Sequence, residues 1–90
     1  MSKTSGEMTI KNEFGLHARP AAALVSLANK YESQIFLRKD DTKVNGKSIL
    51  GVLVLAAENG STVEVEAEGE DAEEAVREII KLAENKFGTE

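Results

Sequence analysis

His17, Arg19 and Pro20 lie within four positions of one another in the stretch FGLHARPAAALV, Phe14 to Val25, and they include the only histidine and the only proline among 90 residues. Imidazole is the side chain that titrates near neutral pH and attacks electrophiles through a free ring nitrogen. Ala21, Leu24, Val25, Ala28 and Tyr31 follow at the i, i+3, i+4, i+7 and i+10 spacing of one apolar helix face, with Ala22, Ser26, Asn29 and Lys30 turned outward. A helix opening at Ala18 makes His17 its N-cap, Arg19 its second residue and Pro20 its third, where a missing N–H costs little. Unsatisfied N–H groups and the positive dipole end then surround whatever the imidazole carries, which suits an anion. A phosphoryl group accepted by His17 would meet those N–H groups and the Arg19 guanidinium, held without being buried. That is phosphoryl-carrier chemistry; the plainer alternative is a histidine that merely caps a helix beside a solvated arginine.

Other chemistries lack residues. One histidine, no cysteine and no neighbouring carboxylate at ligand spacing leave a metal too few ligands. No Ser-His-Asp order, GxGxxG or Walker pattern stands out, so neither an independent hydrolase nor a nucleotide or other cofactor is expected. The net charge of −5 is unevenly spread: residues 1–50 hold eight Lys or Arg against five Asp or Glu, and residues 51–90 hold three against eleven. An acidic chain of this kind argues against nucleic-acid binding, and any positive docking face belongs to the first half, where acidic partners suit it. MSKTSGEMTI has no apolar core of a signal peptide, and no apolar run approaches membrane-spanning length, so a cytoplasmic protein without membrane insertion is expected. The length implies one domain over residues 1–90.

The elements that must position His17 follow from periodicity. Met8, Ile10 and Phe14 indicate a first strand ending at Gly15. Gln34 to Lys39 places Ile35 and Leu37 on one face and Phe36 and Arg38 on the other; Asp40 and Asp41 turn the chain into Thr42–Asn45, a hairpin. Lys47 to Ala57 is apolar enough for strand or helix, and Ser48 decides for a helix because a serine before an apolar run is a natural N-cap. Val63, Val65 and Ala67 alternate with Glu64, Glu66 and Glu68, a half-exposed strand. Ala72, Ala75, Val76, Ile79, Ile80, Ala83 and Phe87 mark one face of a closing helix, with Asp71, Glu73 and Glu74 at its start and Lys86 and Gly88 at its end. The order is βαββαβα, and strands with one polar face imply an α+β fold with helices on one side of the sheet.

GLHARPAA, Gly15 to Ala22, resembles the active-site signature of the HPr family, the histidine-containing phosphocarriers of the bacterial phosphoenolpyruvate:sugar phosphotransferase system. NGKSILGVL, Asn45 to Leu53, resembles that family's second signature, around a regulatory serine. The resemblance implies an open-faced β-sandwich, a four-stranded antiparallel sheet with three helices on one face. It implies that His17 takes a phosphoryl group on Nδ1 from phosphorylated Enzyme I and passes it to IIA domains of sugar permeases. Arg19 then neutralises charge, and the chain acts as a monomeric relay without enzymatic turnover of its own. It also implies modification of Ser48 by an HPr kinase/phosphorylase, and a docking patch of Ala22, Lys47, Ile49, Leu50 and Leu53. Val52, Val54 and Leu55 are expected in the core. Leucines stand where methionines are common in this patch, and Gly46 where a bulkier residue is common, which bears on partner choice. Two readings stand beside this one: a carrier of the nitrogen-related branch with regulatory output, and an interaction module in which His17 only caps a helix.

Overall fold

The computed structural model describes residues 2–88, whose elements are β1 (Lys3–Thr9), α1 (Ala18–Ala28), β2 (Gln34–Lys39), β3 (Thr42–Asn45), α2 (Ile49–Leu55), β4 (Thr62–Glu68) and α3 (Ala72–Glu84), closed by a 3-10 turn at Lys86–Gly88. All neighbouring strands are antiparallel, in the order β1-β4-β2-β3. The alternation of β4 places Val63, Val65 and Ala67 in the core, beside Met8 of β1 and Ile35 and Leu37 of β2 in the same layer. Leu24 of α1, Val52 of α2 and Ile79 of α3 cover that layer from one side. Each of these side chains except the smaller Ala67 contributes roughly 1.5–3 kcal/mol by leaving water. The α+β architecture read from the sequence is therefore the one observed.

The opposite face of the sheet is charged. Glu66 takes ion pairs from Lys3 at 2.7 Å and Lys43 at 3.3 Å, and Arg38 faces Glu64 at 3.7 Å. The hydrogen bond from the Lys3 ammonium, with support from Lys43, holds the Glu66 carboxyl below the usual carboxylate range. Three cations of the basic half are thus engaged on the outer face of the sheet rather than gathered around His17.

Three expectations are corrected. The first strand stops at Thr9, short of Gly15, because the Gly15 N–H bonds back to the Asn12 carbonyl at 3.2 Å and closes a turn that throws Phe14 outward. Tyr31 lies beyond α1, which ends at Ala28 with Asn29 as its C-cap. Phe87 is buried but not on α3: that helix ends at Glu84, and the 3-10 turn, with Phe87 at φ 56°, returns the ring to the core. The start of α3 is tied to the loop before β2, since Asp71 accepts hydrogen bonds from the Ser33 hydroxyl, the Glu32 N–H and the Ser33 N–H. The Ser33 hydroxyl, then the Glu32 N–H, hold the Asp71 carboxyl below its ordinary range.

Candidate functional site

The loop that carries His17 is clamped by the turn before β4. Ile10 exchanges hydrogen bonds with that turn, from its N–H to the Ser61 carbonyl at 2.9 Å and to its carbonyl from the Gly60 N–H at 2.7 Å. The Asn59 amide donates to the carbonyls of Lys11 at 3.2 Å and Asn12 at 3.1 Å. Asn12 is buried and its side-chain amide donates to the Gly15 carbonyl. Leu16, also buried, donates its N–H to the Ala57 carbonyl at 2.8 Å. Gly15 is required here, since its φ is 73° and a Cβ would stand 2.5 Å from the Ala57 oxygen. Only a residue without a side chain lets the two loops approach so closely.

His17 emerges from this clamp as the N-cap of α1, with extended backbone (φ −89°, ψ −165°), and its carbonyl accepts the Ala21 N–H at 2.9 Å. Its side chain is exposed and makes no capping hydrogen bond, and the first turn of α1 holds no acidic residue. Pro20 has no N–H, so the Ala18 and Arg19 N–H groups are the donors that the first turn leaves without helical partners. Arg19 is exposed and makes no ion pair among the described residues. The imidazole thus stands at an open positive helix end with a free guanidinium two residues on, an arrangement suited to a transferred dianion. Phe14 meets the imidazole edge to face, ring centroids 6.1 Å apart and planes at 75°. Phe14, Leu16, His17, Leu53, Ala56, Ala57 and Glu58 line a shallow groove of about 340 Å³.

Ser48 caps α2 through its hydroxyl, which accepts the Gly51 N–H at 3.1 Å. The segment before it is bolted in place: the Lys47 N–H bonds the Asn45 side chain at 2.8 Å, the Lys47 ammonium the Tyr31 carbonyl at 2.6 Å, and the Lys47 carbonyl takes the Asn29 amide at 3.3 Å. Gly46 is buried, and a Cβ there would press on Ile35 at 2.8 Å, so packing rather than docking accounts for that small residue. Leu50 is 74% and Ile49 43% exposed, Leu53 is half-buried against the core, and Ala22 is exposed on α1. Val54, expected inside, is 70% exposed. The reason is geometric: a helix of seven residues buries one narrow stripe, here Val52 and Leu55, and Val54 falls outside it.

The groove beside His17 is lined from the C-terminal end of α2, by Leu53, Ala56 and Ala57, whereas Ser48 stands at the N-terminal end. The seven residues of α2 separate the two by roughly 10 Å along the helix axis. Sequence reasoning missed Asn12, Phe14 and Glu58. The Asn12-x-x-Gly15 spacing was a legible turn signal; the others depend on which distant loop covers the turn.

The protein family described as the PTS HPr component phosphorylation site matches residues 4–85. The phosphocarrier protein HPr of Cupriavidus necator is 44% identical over 82 residues, covering 91% of this chain and 92% of its own. Among solved structures, HPr-C-His from Thermoanaerobacter tengcongensis superimposes with a TM-score of 0.88 at 49% identity, covering 100% of this chain and 99% of that one. Crh, the Bacillus subtilis catabolite repression HPr, superimposes with a TM-score of 0.73 at 40% identity, covering 91% of this chain and 95% of that one.

Proposed function

This chain belongs to the HPr family, the phosphocarriers of the phosphotransferase system, and from that premise we propose that His17 is the side chain that bears the phosphoryl group. The chain is a carrier rather than a catalyst. The observation that supports His17 is its exposed imidazole at an uncapped helix N-terminus free of acidic side chains. In the transfer, the lone pair of the His17 Nδ1 forms the new N–P bond as the bond from phosphorus to the donor side chain breaks, and that bond's electron pair leaves with the donor. The dianion then lies against the Ala18 and Arg19 N–H groups and the Arg19 guanidinium, and the same geometry run in reverse delivers it to an acceptor. Enzyme I is the proposed donor and IIA domains the proposed acceptors. Incubation with Enzyme I and phosphoenolpyruvate tests this reading, with one acid-labile phosphate per chain as the expected stoichiometry.

Arg19 is the proposed counter-cation. Arg19→Ala is expected to slow transfer by roughly ten- to a hundredfold, below the loss for a donor in an enclosed site because Arg19 is exposed. Stability should change by less than about 0.5 kcal/mol, as for surface substitutions generally. Rapid-quench transfer and thermal melting check the two halves; an unfolded Arg19→Ala chain would show the arginine to be structural.

Ser48 is the proposed regulatory site, supported by the likeness to a catabolite repression HPr. Its hydroxyl is occupied in capping α2, and a phosphate there would put close to two negative charges beside exposed Ile49 and Leu50. At roughly 10 Å along α2 from the groove, it acts on docking rather than on the cargo of His17. Ser48→Asp is accordingly expected to weaken Enzyme I binding about three- to tenfold at low salt, with the difference shrinking as salt screens it. Calorimetric titration at two ionic strengths checks this, and equal affinities at low salt would count against regulation through charge.

A further inference from the structure

Phe14 is 76% exposed, more than any other large apolar side chain among the described residues. So little of it is covered that core packing does not account for an aromatic residue here. Its ring instead stands at 75° to the His17 imidazole with centroids 6.1 Å apart, within the range of edge-to-face aromatic pairs. The backbone beneath it is held on both sides, by buried Asn12 bonded to the Gly15 carbonyl and by Leu16 bonded to Ala57. The ring is therefore presented from a fixed turn. The imidazole, by contrast, makes no capping hydrogen bond that would choose its rotamer. An exposed side chain without such a bond samples several staggered χ1 wells, whereas transfer needs one ring nitrogen aimed in line with the breaking bond.

We propose that Phe14 is a positioning residue for His17: its ring restricts the imidazole to the rotamer that presents the attacking nitrogen at the mouth of α1. The inference rests on His17 as phosphoryl acceptor. Phe14 contributes no atom, electron or proton to the transfer, in which the N–P bond forms as the donor's bond to phosphorus breaks. The restriction is already present in the free protein, and in the bound complex it raises the fraction of chains whose nitrogen is aimed, which is what kcat reads. A docking role for the same exposed ring would act on affinity instead.

The two roles separate in Phe14→Ala and Phe14→Tyr. In the free protein, three-bond couplings of His17 should report one dominant χ1 rotamer in the wild type, averaging in Phe14→Ala, and recovery in Phe14→Tyr, which keeps the ring. With phosphorylated Enzyme I as donor, kcat of Phe14→Ala should fall about three- to tenfold at an unchanged KM, and Phe14→Tyr should match the wild type. Unaltered His17 couplings in Phe14→Ala would overturn the proposal, as would a raised KM at constant kcat, which would assign Phe14 to docking. Failure of the underlying carrier assignment has a different signature, acid-labile label persisting in His17→Ala, and the coupling measurement on the free protein does not depend on it.

Discussion

His17→Ala is expected to accept no acid-labile phosphate from Enzyme I and phosphoenolpyruvate, against one per chain for the wild type, while remaining folded. The loss should be complete because no other histidine exists to take the group. The fold should survive because the His17 side chain is exposed and makes no capping hydrogen bond. Its carbonyl, which accepts the Ala21 N–H at 2.9 Å, is backbone and stays. Stability should thus change by no more than the ~0.5 kcal/mol typical of surface sites. Acid lability distinguishes phosphohistidine from a phosphate on Ser48, which would persist through acid and through the mutation. Acid-labile label on a folded His17→Ala chain would end the assignment.

Gly15→Ala should produce the largest loss of stability among the substitutions considered, and with it a loss of carrying capacity. Two costs combine at Gly15. A φ of 73° is left-handed, which costs a residue with a Cβ about 1–2 kcal/mol. That Cβ would also stand 2.5 Å from the Ala57 oxygen and 3.0 Å from Glu58 Cα, both backbone atoms that cannot rotate away, and overpacking of this kind costs about 1–3 kcal/mol. The sum, about 2–5 kcal/mol, corresponds to a fall in Tm of roughly 8–40 °C for a domain of this size. Parting the loops would break the hydrogen bond from Leu16 to Ala57 that places His17 at the helix mouth, so transfer should fail even below the melting transition. Gly60→Ala is the control, since Gly60 has φ 89° but nothing within 4 Å of an added Cβ. It should cost about 1–2 kcal/mol, the backbone part alone. Equal Tm losses in the two variants would show that the contact with Ala57 is not the reason for glycine at position 15.

Much of the fold was legible because it rests on local rules. The alternation of Val63, Val65 and Ala67 needs no knowledge of the rest of the chain to specify a half-buried strand, and Ser48 before an apolar run reads as an N-cap whatever lies opposite. The misreadings share a different cause. Phe14 fits the strand period, and Phe87 fits the helix period, but each lies within a turn that re-aims it. Val54 was assigned inward by hydropathy, although a seven-residue helix has too little contact surface to bury more than one stripe.

The sequence by itself determined the local setting of His17: a lone imidazole at a helix start, with Arg19 and Pro20 in the first turn, is specified by residues within four positions of one another. Only the tertiary structure decided what surrounds that imidazole. The Asn59 amide reaches Lys11 and Asn12 across 48 and 47 positions, and Leu16 bonds to Ala57 in the same clamp. These contacts turn Phe14 toward the imidazole and bring Leu53, Ala56 and Glu58 to its groove. Periodicity and capping act over one or two turns of chain. Loop contact across more than forty residues is set by how the sheet and helices pack, and no local pattern encodes it.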